Sequence, residues 1–223
     1  MQNIFNIAKN NYYEACTNSN VIDFWTVYFC RPIASVFIAI IQKYTISPNQ
    51  ITYLSLIVHL VGLYNLYLSN FIIASILIMC AQILDCSDGQ LAIIKNMKTI
   101  YGAYLDLIFD ALKDLASYFI LVWLFIGSEF EIIGIFSFFI VSFSLVLDWV
   151  NRHIKNHIKP KSKFNQTYRE KFGIQFWTGP IRNFLMVISF LATNPQWVLI
   201  YTSTIGCYLT IKRLYSIMNK IQE

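Results

Sequence analysis

Six stretches of this chain, roughly residues 50–68, 71–93, 101–126, 131–151, 172–192 and 196–215, are each apolar over about the 20 residues a helix needs to cross the hydrocarbon core of a bilayer. A backbone in hydrocarbon must satisfy its own polar groups, so runs of this length point to helices. With 57% hydrophobic and only 13% charged residues, the chain is too apolar for a soluble globule of 223 residues. The expected fold is all-α and integral to the membrane, with a six-helix transmembrane domain over 49–223 and a cytoplasmic segment over 1–48.

The basic residues test this count, because positive charge collects in cytoplasmic loops during insertion. Lys9, Arg31 and Lys43 precede the first run, Lys95 and Lys98 separate the second from the third, and seven Lys and Arg residues between Arg152 and Lys171 separate the fourth from the fifth. Lys212, Arg213 and Lys220 lie at or beyond the end of the sixth. The intervening turns, near Ser69, Gly127 and Thr193, contain none. Both termini are therefore expected to be cytoplasmic. The net charge of +5 is explained by topology and anionic headgroups, without a nucleic-acid partner.

Residues 22–44 mix aromatic and aliphatic side chains with Asp23, Arg31, Gln42 and Lys43, which suits an interfacial helix along the cytoplasmic surface. Pro48 biases Ser47 away from helix, so the first span starts beyond this turn. Residues 1–20 lack the pattern of a cleaved signal and are expected to stay on the mature protein. Gly179-Pro180 either kinks a helix that begins at Phe172 or starts a shorter one capped by Thr178. Cys16, Cys30, Cys80, Cys86 and Cys207 show neither a disulfide framework nor zinc spacing.

Ionised carboxylates inside a membrane are expensive without a partner, and this chain clusters four of them. Asp85 and Asp88 stand three residues apart near the end of the second run, and Asp106 and Asp110 four apart near the start of the third. Residues three or four apart share a helix face, so the two pairs can converge at similar depth from antiparallel neighbours. Converging carboxylates repel unless cations bind, and hard oxygen ligands favour Mg²⁺ or Mn²⁺, with one or two ions as occupants. Gly89 and Gly102 leave space beside such ions, which points to a substrate pocket.

The pattern Asp85-x-x-Asp88-Gly89-x-x-Ala92, followed by Gly102-x-x-x-Asp106-x-x-x-Asp110, resembles the signature of CDP-alcohol phosphotransferases. The family pattern places Arg after the alanine, where this chain has Ile93; if that Arg holds donor phosphate or braces the acidic cluster, either Lys95 or another basic residue substitutes, or donor affinity is weak, or the donor is unusual. Ser-Pro-Asn-Gln-Ile-Thr at residues 47–52 is also similar to the family, and residues 23–34 resemble members that join inositol phosphate to CDP-inositol. The resemblance implies transfer of a phosphoalcohol group from a CDP-alcohol, either CDP-diacylglycerol or a CDP-polyol, to a lipid alcohol or polyol phosphate. CMP is released in that chemistry.

By the same resemblance, Asp85, Asp88 and Asp106 hold metal, two ions being expected, and Asp110 takes the acceptor's proton while also contacting metal. Asp88, Gly89, Ala92 and Gly102 line the donor site. A homodimer is expected as well. Lys113 and Arg182 are costly within spans and are candidate ligands for an acceptor phosphate; alternatively Lys113 pairs with Asp110 or Asp114, and Arg182 snorkels to the interface. His59 and Asp148 read as locally satisfied polar groups. An Asp-rich prenyltransferase, an ion-coupled transporter and a catalytically silent relative are the rival readings.

Overall fold

The computed structural model describes residues 4–17, 23–157 and 177–222, and all regular structure among them is helical. Helix α1 is Ile4–Thr17. Helix α2, Thr26–Ile41, begins with one π-helical turn. Four helices of at least 20 residues follow: α3 Pro48–Tyr67, α4 Phe71–Ile94, α5 Ile100–Leu124 and α6 Glu131–His157. Helix α7 is Gly179–Leu191, and α8 runs through Gln196–Tyr201, a π turn at Thr202–Gly206, and Cys207–Gln222.

Local chemistry sets these boundaries. Ser47 is extended and closes a reciprocal capping box with Gln50, while Pro48 occupies the first turn of α3, where its missing N–H costs nothing. Thr99 caps α5 by accepting a hydrogen bond from the Gly102 amide at 3.0 Å. Thr178 caps α7, so the described helix begins at Gly179-Pro180, the shorter of the two forms its sequence allowed. Residues 172–176 of the fifth apolar run, and residues 158–171 of the basic stretch, lie outside the described residues.

Helix α1 was not foreseen. It packs on α2, with the Tyr12 hydroxyl donating to the Val27 carbonyl at 3.3 Å and Asn11 to Gln42 at 3.3 Å. The main core joins α3 to α8 through Leu66, Ile78, Leu121, Val141, Phe190 and Leu199. Around it the usual polarity is reversed. Asp88, Lys113, Asp114 and Arg182 are buried, whereas Leu60, Ile76, Phe119 and Phe139 are exposed.

Phe71–Ile94 and Glu131–Asn151 are long and apolar enough to cross a membrane. The other helices fall short of that measure for identifiable reasons. For example, α5 carries Asp106, Asp110, Lys113 and Asp114, and α7 has 13 residues. All five cysteines are free thiols.

Candidate active site

Three helices meet with the right ends together. The start of α3, the end of α4 and the start of α5 surround a cleft of about 250 Å³. Asp88, Gly89 and Ala92 face it from α4, and Gly102 and Asp106 from α5, so all four residues expected at the donor site line one space. The short turn between α4 and α5 brings the end of one and the start of the other to the cleft, while each packs along α3. Its left-handed residue is Asn96, at φ 54°, and the Met97 amide donates back to the Ala92 carbonyl at 2.9 Å.

Asp85, Asp88 and Asp106 each offer a carboxylate oxygen within 4.8 Å of the others. Asp88 is 6% exposed, and its Oδ2 is buried without a hydrogen-bond partner. A buried anion lacking a donor is expensive, so an oxygen-seeking divalent cation fits this set of ligands. Asp110 stands outside the group of three and is half exposed, with its carboxylate 2.9 Å from the Lys113 ammonium. Lys113 also forms an ion pair with Asp85, and its side chain is almost fully buried. It therefore ties the two acidic pairs together from α5.

The two glycines play different parts. A Cβ at Gly102 would lie 3.0 Å from both Asn49 Oδ1 and Thr99 Oγ1, a tight contact that those side chains would have to shift to relieve. A Cβ at Gly89 would meet nothing within 4 Å, although the residue lines the cleft. Packing does not demand this glycine. It keeps open a volume that a ligand can fill.

Arg182, on α7, is 2% exposed and forms an ion pair with Asp114, with its guanidinium carbon 5.2 Å from the centre of a Trp177 ring. Its Nε and Nη1 have no hydrogen-bond partner. This arrangement replaces the snorkelling alternative, and Asp114 pairs with Arg182 instead of Lys113. His59 Nε2 is 3.0 Å from Ser117 Oγ, and Asp148 accepts from Arg213 at 2.6 Å, so both are locally satisfied. Lys95 is engaged elsewhere, donating to the carbonyls of Tyr44 at 2.7 Å and Ile46 at 2.9 Å.

The cleft residues not singled out as site residues from sequence include the polar side chains of Asn49, Thr52, Lys98 and Thr99. The signal for the first two was the Ser-Pro-Asn-Gln-Ile-Thr segment, whose cap aims the first turn of α3 at Asp88. A larger cavity of about 510 Å³ between α3, α5 and α6 has no carboxylate or basic group among its lining residues, and it is separate from this chemistry.

Acidic residues of α4 and α5 thus gather beside an open cleft that Gly89 and Gly102 line. The family model for CDP-alcohol phosphatidyltransferase matches residues 45–211, and the chain belongs to that family. Over 72 residues it is 42% identical to an uncharacterized protein of Aquifex aeolicus (strain VF5), covering 32% of this chain and 37% of that one. Over 69 residues it is 36% identical to the archaetidylinositol phosphate synthase of Pyrococcus horikoshii, covering 31% of this chain and 37% of that protein. The aligned part is thus little more than a third of either relative's length. Family membership bears out the resemblance read from the sequence, in preference to the prenyltransferase and transporter readings.

Proposed function

We infer that this chain is a multi-pass membrane enzyme that transfers a phosphoalcohol from a CDP-alcohol to a hydroxyl acceptor, with its active site on the cytoplasmic side. The observation that carries this reading is the Asp85, Asp88 and Asp106 group, within 4.8 Å, opening on a cleft that Gly89 keeps free. Residues 49–223 form the six-span catalytic domain. Residues 1–48 lie along the cytoplasmic face, where the exposed side chains Tyr28, Phe29, Ile33, Val36 and Ile40 of α2 meet lipid.

Asp85, Asp88 and Asp106 would hold one Mg²⁺ or Mn²⁺, and Asp110, which shares the Lys113 ammonium with Asp85, would complete a place for a second. Charge supports two ions. Four ionised carboxylates and one ammonium sum to −3; a single divalent ion leaves −1, which repels a diphosphate, whereas two leave +1, which attracts it. Bound metal would supply charge neutralisation for the diphosphate and the departing CMP.

The protein's own contribution is placement and proton transfer. Gly89, Ala92 and Gly102 admit the donor. The acceptor oxygen bonds to the phosphorus bearing the donor alcohol, and the bond from that phosphorus to the bridging oxygen breaks, its electron pair leaving with CMP. The acceptor proton passes to Asp110, held by Lys113 at 2.9 Å. Arg182, with two unpartnered donors, and Lys113 draw in an anionic acceptor.

The name of the Pyrococcus relative makes inositol phosphate the first acceptor to try. CMP release should be measured with purified protein, Mg²⁺ or Mn²⁺, CDP-diacylglycerol or CDP-polyols, and a series of acceptors. Release that depends on acceptor and is lost in Asp110→Asn is the expected result. Folded, metal-binding protein that is inactive with every donor would overturn the reading in favour of a catalytically silent relative.

A further inference from the structure

The cleft contains a charge problem that the aspartates do not solve. A nucleoside diphosphate needs cationic groups of the protein as well as metal, and Ile93 stands where the motif carries arginine. Lys95 is clasped by the Tyr44 and Ile46 carbonyls and so closes the turn after α2. Lys43 lies over the Tyr44 ring, 5.3 Å from its centroid. Lys113 is shared by Asp85 and Asp110.

Lys98 is different. Among the residues lining the cleft it is the one Lys or Arg, and no hydrogen bond or ion pair engages its ammonium among the described residues. The turn that carries it is fixed on both sides. Met97 bonds back to Ala92, while Thr99, the next residue, caps α5. Thr99, Gly102 and Ala103, at the start of α5, line the same cleft, so the positive end of that helix dipole lies beside it. The buried, unpartnered Asp88 Oδ2 supplies an independent sign that something cationic binds in this space, and a bound cation would draw an anionic ligand to it.

We propose that Lys98 binds the diphosphate of the nucleotide donor, taking the cationic place that Ile93 leaves vacant in the signature. This rests on the CDP-alcohol donor inferred above. Lysine reaches the diphosphate as a flexible point charge from the turn, where arginine would act from the helix itself. Such a swap trades geometric precision for reach.

The test is calorimetric titration of CDP and of cytidine into the purified full-length protein with Mg²⁺, alongside Mn²⁺ binding. Lys98→Met should weaken CDP binding about ten- to a hundredfold, the range for a lost charge-assisted hydrogen bond, while cytidine and Mn²⁺ affinities stay unchanged. Lys98→Arg should retain CDP affinity, and adding Ile93→Arg to Lys98→Met should recover part of it. Wild-type affinity for CDP in Lys98→Met overturns this inference alone, and so does an equal loss for CDP and cytidine. Failure of the wild-type protein to bind CDP would overturn the donor reading, and this inference with it.

Discussion

Asp88 carries the sharpest constraint at the scale of single residues, because one of its oxygens is buried without a donor while its neighbours Asp85 and Asp106 are also acids. Asp88→Asn removes the charge and keeps the volume. It should weaken Mn²⁺ binding and CMP release by at least about a hundredfold, the upper end for losing even a partner outside the coordination shell. Isothermal titration and CMP release, measured on the same preparation, check this. Lys113 gives a second prediction. Its ammonium serves Asp85 and Asp110, so Lys113→Met leaves two acids without their shared cation. Breaking a buried pair costs about 3–5 kcal/mol, and divalent metal should offset part of that by taking over the ammonium's electrostatic place. The loss of melting temperature in detergent should therefore be larger in EDTA than in Mg²⁺. An equal loss in both would show that Lys113 acts on packing alone.

Packing between helices depends on fits that spacing does not reveal. Gly206, in the π turn of α8, lies against the indole of Trp177, and the ring carbon Cζ3 would be 2.7 Å from an added Cβ. Trp177 is held in place by its own Nε1 hydrogen bond to Ser144 at 2.9 Å. Gly206→Ala should cost about 1–3 kcal/mol as an overpacked core contact, seen as a lower melting temperature. Gly206→Ser should cost at least as much. The limits of α3, α4 and α5 were legible within a few residues, because capping residues and apolar runs are local signals. The convergence of Asp85, Asp88 and Asp106 was legible too, since helix periodicity and a short turn suffice to bring two stripes together. Helix α1 was hidden because its sequence is largely polar and its order comes from packing on α2. The Asp110 partner of Lys113 was legible from its spacing of three, but the Asp114 partner of Arg182 and the Asp85 partner of Lys113 were hidden, as each is chosen by which helices touch. Asp114 reaches α7 while Asp85 comes from α4, and one-dimensional spacing holds no record of either.

At the scale of the whole molecule, the distribution of charge and the position of the cleft make the same demand. The cleft lies where α3 begins, α4 ends and α5 begins, at the end that also carries Lys95 and Lys98. Arg213 of α8 meets Asp148 near the end of α6 at 2.6 Å, so the C-terminal helix returns towards the end of α6 that leads into the basic stretch. The opposite turns, around Ser69, Gly127 and Thr193, carry no Lys or Arg. The proposed six crossings would put all three of these turns outside the cytoplasm and leave the proposed catalytic carboxylates within reach of soluble CDP-linked donors or products. Fusions to alkaline phosphatase, which is active only outside the bacterial cytoplasm, distinguish this arrangement from its alternatives. Activity is expected for fusions at Ser69, Ser128 and Asn194, and none for fusions at Lys98 or within the last turns of α8. If the α8 fusion were active, the number of crossings would be odd. The tie between Arg213 and Asp148 keeps those two groups on one side and the crossings between them even in number, so the lost crossing would have to lie among α3 to α6; loss of α7, which at 13 residues is too short to span without help, would instead break that tie.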